Sequence, residues 1–168
     1  MFYRGETPGS RCQDLNPDAR GEETQMSSRN EEFLLKWHPI VANRDLIALE
    51  KILAPDVSMG APPYWDKLAG RPIVLHLLGL IINTIEDFTY HREWHDDAKG
   101  EGEIALEFHG HVGDQGLQGI DLISLNERGD IQNLDVMIRP MNALSALRDV
   151  IAPQMVEFLQ KTAEKSAK

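Results

Sequence analysis

The hydrophobic period of this chain changes once, and the change restricts what it can become. Up to residue 86 the apolar positions recur at helical spacing. After it they alternate, through four stretches at 87–96, 103–112, 117–126 and 130–139. The breaks between them, DAKGEG, GDQG and ERGD, carry the Gly and Asp chemistry of hairpin turns. Helices followed by an antiparallel meander predict an α+β domain with the helices gathered on one face of the sheet.

The helical part divides at its caps. Ser28 and Glu31 fit a capping box ahead of the apolar positions Phe33, Leu34, Trp37 and Val41. Pro39 is expected to kink or end that helix. A second helix follows, with Leu46, Ile47, Leu49, Ile52 and Leu53 as its buried side. Residues 55–59 read as a short strand and GAPPYWDKLAG as a loop. Gly70-Arg-Pro72 opens a third helix over 72–86, apolar around most of its circumference and so expected between layers. Asn142 is placed to cap a last helix running towards Lys161, with a kink at Pro153. Residues 1–27 hold little to bury and read as a disordered leader, leaving 28–168 as a single domain.

With the hairpin turns placed centrally, one sheet face collects Phe88, Tyr90, Arg92, Trp94, Ile104, Leu106, Phe108, Asp121, Ile123, Leu134, Val136 and Ile138. This pairing sets Arg92 opposite Phe108, Phe108 opposite Asp121, and Asp121 opposite Val136. A carboxylate in an apolar row costs several kcal/mol unless it is paired, hydrogen-bonded or protonated. Asp121 is therefore either a buried acid satisfied by Arg92 or a neighbouring N–H, or a pocket acid raised by burial and able to donate or move a proton. Arg92 is its candidate tuner, or an anchor for an anionic ligand. Trp37, Tyr64, Trp65, Tyr90, Trp94 and Phe108 are candidate pocket walls. Tyr64 and Trp65 lie in a Pro-rich loop, where a lid or mouth is the expected use.

The opposite face carries His91, Glu93, His95, Glu107, His109 and His111. His-x-His on a strand can serve a metal, but a wet acidic face with several histidines is the pattern of solvated surface or a dimer interface, and no metal is expected. Ile120, Leu122 and Met137 would give such an interface its apolar centre.

The stretches VANRDLIALEKILAPDVSMGAPP, Gly70-Arg-Pro and LEFHGHVGDQGLQGIDLISLNERGDIQNLDVMIRP resemble the helix–helix–strand entry, third-helix start and closing strands of the nuclear transport factor 2-like (SnoaL-like) superfamily. The resemblance spans roughly residues 30–150 and implies a cone: a curved, mainly antiparallel sheet wrapped around the N-terminal helices over an apolar pocket, often dimerising through its outer face. It also implies correspondences with the ketosteroid isomerases of that superfamily. Asp121 matches their hydrogen-bond-donating acid, Ala61 stands where they carry the general base, and Trp37 stands where they carry the oxyanion tyrosine. The Asp-Arg-Asp set of limonene epoxide hydrolases is broken at Val136. SnoaL-like cyclases and small dehydratases stay open.

A net charge of −10 without a basic run excludes nucleic acid and anionic membranes as electrostatic partners. The single cysteine excludes a disulfide framework and fits a reducing, cytoplasmic location. There is no phosphate loop, nucleophile elbow or Cys-His arrangement. The expected function is binding of a small, mostly apolar molecule, with no cofactor and with isomerase-, cyclase- or dehydratase-type acid–base turnover as the enzymatic form. The alternative is a non-catalytic docking or dimerisation module whose pocket its own side chains fill.

Overall fold

A computed structural model describes residues 28–96 and 102–166. The expected leader and most of the first hairpin turn lie outside the described residues. Helix α1 (Arg29–Asn43) starts at the expected capping box: Glu31 N–H donates to Ser28 Oγ at 3.2 Å, and Ser28 N–H donates to Glu31 Oε2 at 3.1 Å. It buries Phe33, Leu34, Trp37, Ile40 and Val41 and runs on past Pro39. The carbonyl that Pro39 leaves without a donor is that of Leu35, whose side chain is 74% exposed, so water can satisfy it. Helix α2 (Leu46–Lys51) is one turn and a half, capped by Asp45 Oδ1, which accepts from the N–H groups of Ile47 and Ala48. Of the side expected to be buried, Leu49 and Leu53 are, whereas Ile47 is exposed.

Strand β1 (Leu53–Gly60) is followed by a two-residue strand β2 (Leu68–Ala69) within the expected loop. Helix α3 (Arg71–Thr84) then buries Val74, Leu77, Leu78, Ile81 and Ile82 between layers. The meander follows as β3 (Glu86–Asp96), β4 (Glu103–Val112), β5 (Gln115–Leu125) and β6 (Ile131–Arg139). The sheet order is β2-β1-β6-β5-β4-β3, with β1 parallel to β6 and the other pairs antiparallel. The sheet is curved but does not close into a barrel, since β2 and β3 remain its edges.

Helix α4 (Met141–Ser166) returns against α3 and the meander. It passes through Pro153, whose orphaned carbonyl belongs to Asp149 on a water-facing side. Leu144, Leu147, Ile151 and Met155, at helical spacing, form its buried stripe. Among the described residues no helix is long and apolar enough to cross a membrane.

Candidate functional site

Strand β5 buries Leu117, Gly119, Asp121, Ile123 and Leu125 in strict alternation, so Asp121 occupies the inner row. It is 7% exposed. Val136 faces it from β6, as expected, but its β4 neighbour is Leu106; Phe108 pairs instead with Gly119. The β4–β5 hairpin is tighter than a centred GDQG turn: Val112 pairs with Gln115 across Gly113-Asp114, with Gly113 at φ 56°. The difference is two residues, which preserves the face of every side chain. Packing supports this register, because the Phe108 ring lies over Gly119, and a Cβ there would collide with the ring and with the Met137 carbonyl.

Strand β3 departs from the expectation more seriously. Tyr90 pairs with Phe108, Arg92 pairs with Glu107, and a bulge lies between them. The extra residue reverses parity beyond it. Arg92 and Trp94 therefore join the outer face, and Glu93 turns towards α1, where its Oε2 lies 3.0 Å from His38 Nε2. Arg92 pairs with Glu107, not Asp121, and its guanidinium carbon stands 5.5 Å over the half-exposed Trp94 ring. The expected Arg92–Asp121 pairing is thus corrected, and Trp94 is no wall of an inner pocket. The Arg92 hydrogen bond holds the Glu107 carboxyl below its ordinary range.

Asp121 is served from the helical side. Trp37 Nε1–H donates to the Tyr90 hydroxyl at 3.1 Å, and that hydroxyl donates to Asp121 Oδ2 at 2.6 Å. Burial raises the Asp121 carboxyl from 3.8 to about 7, against the lowering effect of the Tyr90 bond. Tyr90 is pushed well above its ordinary value, first by burial and then by the acid beside it. The chain of donors sits in an aromatic cluster. Phe88 stacks on Phe108 at 4.8 Å between centroids, Tyr90 meets Phe88 edge-on at 5.0 Å, and Phe33 stacks on Trp37 at 5.7 Å. Trp37 and Tyr90, expected as walls, are hydrogen-bonding groups here, and Phe108 is core.

A cavity of about 400 Å³ lies beneath α4, between α3, β6 and residues 61–68. Its wall is mostly aliphatic and includes Leu77, Ile81, Val136, Leu147 and Ile151. Tyr64 and Trp65 also line it and are 65% and 96% exposed, which sets both at its mouth. Asp121, Tyr90 and Trp37 are not lining residues; the acid stands beside Val136, its partner across the β5–β6 ladder. Leu144, Leu147, Arg148, Ile151 and Met155 of α4 line it too, and the sequence signal for this wall is the helical spacing of the apolar positions 144, 147, 151 and 155. A shallower groove beside edge strand β3 is lined by His38, Tyr90, Arg92 and Glu93.

On the outer face His91 Nδ1 lies 3.1 Å from His109 Nδ1, and His111 Nε2 lies 3.0 Å from Asp87 Oδ2. The Asp87 hydrogen bond raises the His111 pKa. Among the described residues no three His, Cys, Asp or Glu side chains converge as a metal would need.

No protein-family model and no curated protein matches the sequence. Solved structures do. A steroid delta-isomerase from Pseudomonas aeruginosa is 34% identical, with a TM-score of 0.72, over 81% of this chain and 98% of that one. An uncharacterized protein with a cystatin-like fold from Silicibacter pomeroyi is also 34% identical, with a TM-score of 0.67, over 73% and 84%. A nuclear-transport-factor-2-like protein from Burkholderia xenovorans shares the fold at 14% identity and a TM-score of 0.55, over 66% and 82%. With its helices packed into a curved, unclosed sheet and two such relatives at one third identity, the chain belongs to the nuclear transport factor 2-like superfamily of cystatin-like α+β folds.

Proposed function

We propose that the protein binds a small, mostly apolar molecule of about steroid size in the cavity beneath α4, without a cofactor. The observation that carries this reading is the cavity itself. Its volume of about 400 Å³ falls in the range of small-molecule sites, and its wall is aliphatic with an aromatic mouth. The relative described as a steroid delta-isomerase supplies the ligand class. Its chemistry is not carried over whole. Ala61, which lines the cavity, stands where the superfamily's ketosteroid isomerases carry their base, and an alanine cannot accept a proton.

Turnover in this reading falls to Asp121, which near neutrality is still partly protonated and so can donate. It lies directly across from the cavity residue Val136. A ligand oxygen that displaces the Val136 side chain would meet the acid, and Tyr90 would steady the carboxylate left after proton transfer. The reading also includes pairing of two copies through the outer sheet face, where Trp94, Leu122 and Met137 are exposed, and a cytoplasmic location. Sedimentation velocity tests the pairing; a monomer at micromolar concentration removes it.

The test of binding is thermal denaturation with a panel of neutral steroids, together with the cavity-filling variants Ala152→Trp and Leu77→Phe. At a concentration of about 100 times Kd, a bound ligand stabilises by about 2.7 kcal/mol, a rise in Tm of several degrees. The natural chain should show that rise and the filled variants should lose it. No rise with any member of the panel, or an undiminished rise in both folded variants, overturns the reading in favour of a docking module.

A further inference from the structure

The geometry points to an anionic ligand: an apolar body occupying the cavity and one sulfate- or carboxylate-type head held at the mouth by Arg148. This inference rests on the cavity reading above and names the chemistry of its ligand. Among the described residues that line the cavity, Arg148 is the one full-time cation. It stands four residues after Leu144 and three before Ile151 on α4, so its stem shares their side of the helix while its charged end reaches water.

The guanidinium is only lightly engaged. Its Nε and Nη2 donate at 3.1 and 2.7 Å to a single oxygen, Oδ1 of the adjacent Asp149. The two side chains are 46% and 67% exposed, the setting in which an ion pair is held weakly and exchanges readily. A guanidinium offers five N–H donors in a planar fork, and a carboxylate or sulfate ester presents two oxygens that match it. Tyr64 lies close enough to Arg148 to interact electrostatically, and it lines the same mouth with a hydroxyl able to donate. The opposing charge on the lining is Asp66, which is exposed and therefore screened by salt. A neutral ligand would leave Arg148 as it is; an anionic one gains a charge-assisted contact without exposing any of its apolar body.

A 3-hydroxysteroid and its 3-sulfate ester share one body and differ in the head, so calorimetric titration with the pair isolates the head. The sulfate should bind about tenfold more tightly at low salt, with the ratio shrinking in about 0.5 M sodium chloride. Arg148→Gln should bring the ratio close to one, and Arg148→Lys should keep part of it, since a point charge survives without the fork. Gln and Lys match Arg in helix propensity, so both variants should fold, which circular dichroism checks. A ratio near one in the natural chain, or one that survives Arg148→Gln, overturns the inference. If the neutral steroid still binds in that case, the cavity reading stands and the anionic head alone is lost. If neither compound binds, both are lost.

Discussion

Replacing Asp121 by asparagine tests the chemistry of the inner site without requiring a ligand. The carboxyl of Asp121 is raised from 3.8 to about 7 in the folded protein, with burial as the main cause. Between those values the native state keeps a proton that the unfolded chain has released. The stabilisation this gives is therefore fully present below about pH 3.8 and is lost as pH rises, until none remains above about 7. At about 1.4 kcal/mol for each unit, the loss comes to about 4 kcal/mol by about pH 8. The side-chain amide of the variant has the shape of the protonated acid, can accept from the Tyr90 hydroxyl through its carbonyl, and does not ionise. Groups that titrate elsewhere cancel in the difference between the two proteins. Urea denaturation followed by far-UV circular dichroism should find the pair nearly equal at about pH 4, with the gap widening steadily above it. With an m-value of about 2 kcal/mol/M, Asp121→Asn should hold out to about 2 M more urea at about pH 8. Stability curves that run parallel across this whole range would show that the carboxyl ionises in the fold as readily as in water, and the acid assigned here would not exist.

Three further outcomes follow from single contacts. Tyr90→Phe removes the bond that lowers the Asp121 pKa, so the fall in stability should continue to higher pH; an unchanged end point would mean that this bond does not form. Gly119→Ala should cost about 2 kcal/mol by driving a methyl into the Phe108 ring, and Phe108→Leu in the same chain should recover part of that, measurable as a non-additive double-mutant cycle. Ser28→Ala should cost about 1 kcal/mol in chemical denaturation through loss of the α1 capping box.

The order of elements was readable because each boundary has a local cause. The Ser28–Glu31 box and Pro72 in the first turn of α3 both act within a few residues. Parity along β5 was readable for the same reason, since five alternate residues are buried without interruption from Leu117 to Leu125. What escaped was set at longer range. The parallel contact of β1 with β6 joins segments far apart in the chain and leaves no periodic trace. Helix α1 runs on past Pro39, whose orphaned carbonyl belongs to the exposed Leu35, and a helix pattern alone does not say which side will be wet. The cavity arises where α4 lies over α3 and β6, so its volume depends on how the elements dock.

The bulge in β3 is the case with the largest chemical consequence. A regular strand would carry Tyr90 and Arg92 on one face, and the Arg92 guanidinium would neutralise Asp121 and keep it ionised. The extra residue separates them: Tyr90 stays inside with the acid, and Arg92 goes outside to Glu107. The two carboxyls then diverge from similar starting values, Glu107 drawn down by its arginine and Asp121 pushed up to about 7 by burial with only neutral donors beside it. One inserted position thus sorts a structural anion on the outer face from a proton-holding acid on the inner face, next to the lining residue Val136. Deleting His91 should restore the regular pleat and still leave Arg92 opposite Glu107 on the outer face, because Tyr90 and Arg92 then become neighbours and alternate. In a variant that still folds, the pH dependence of stability assigned to Asp121 should therefore persist, whereas its loss would mean that the acid needs the bulge itself and not only burial beside Tyr90.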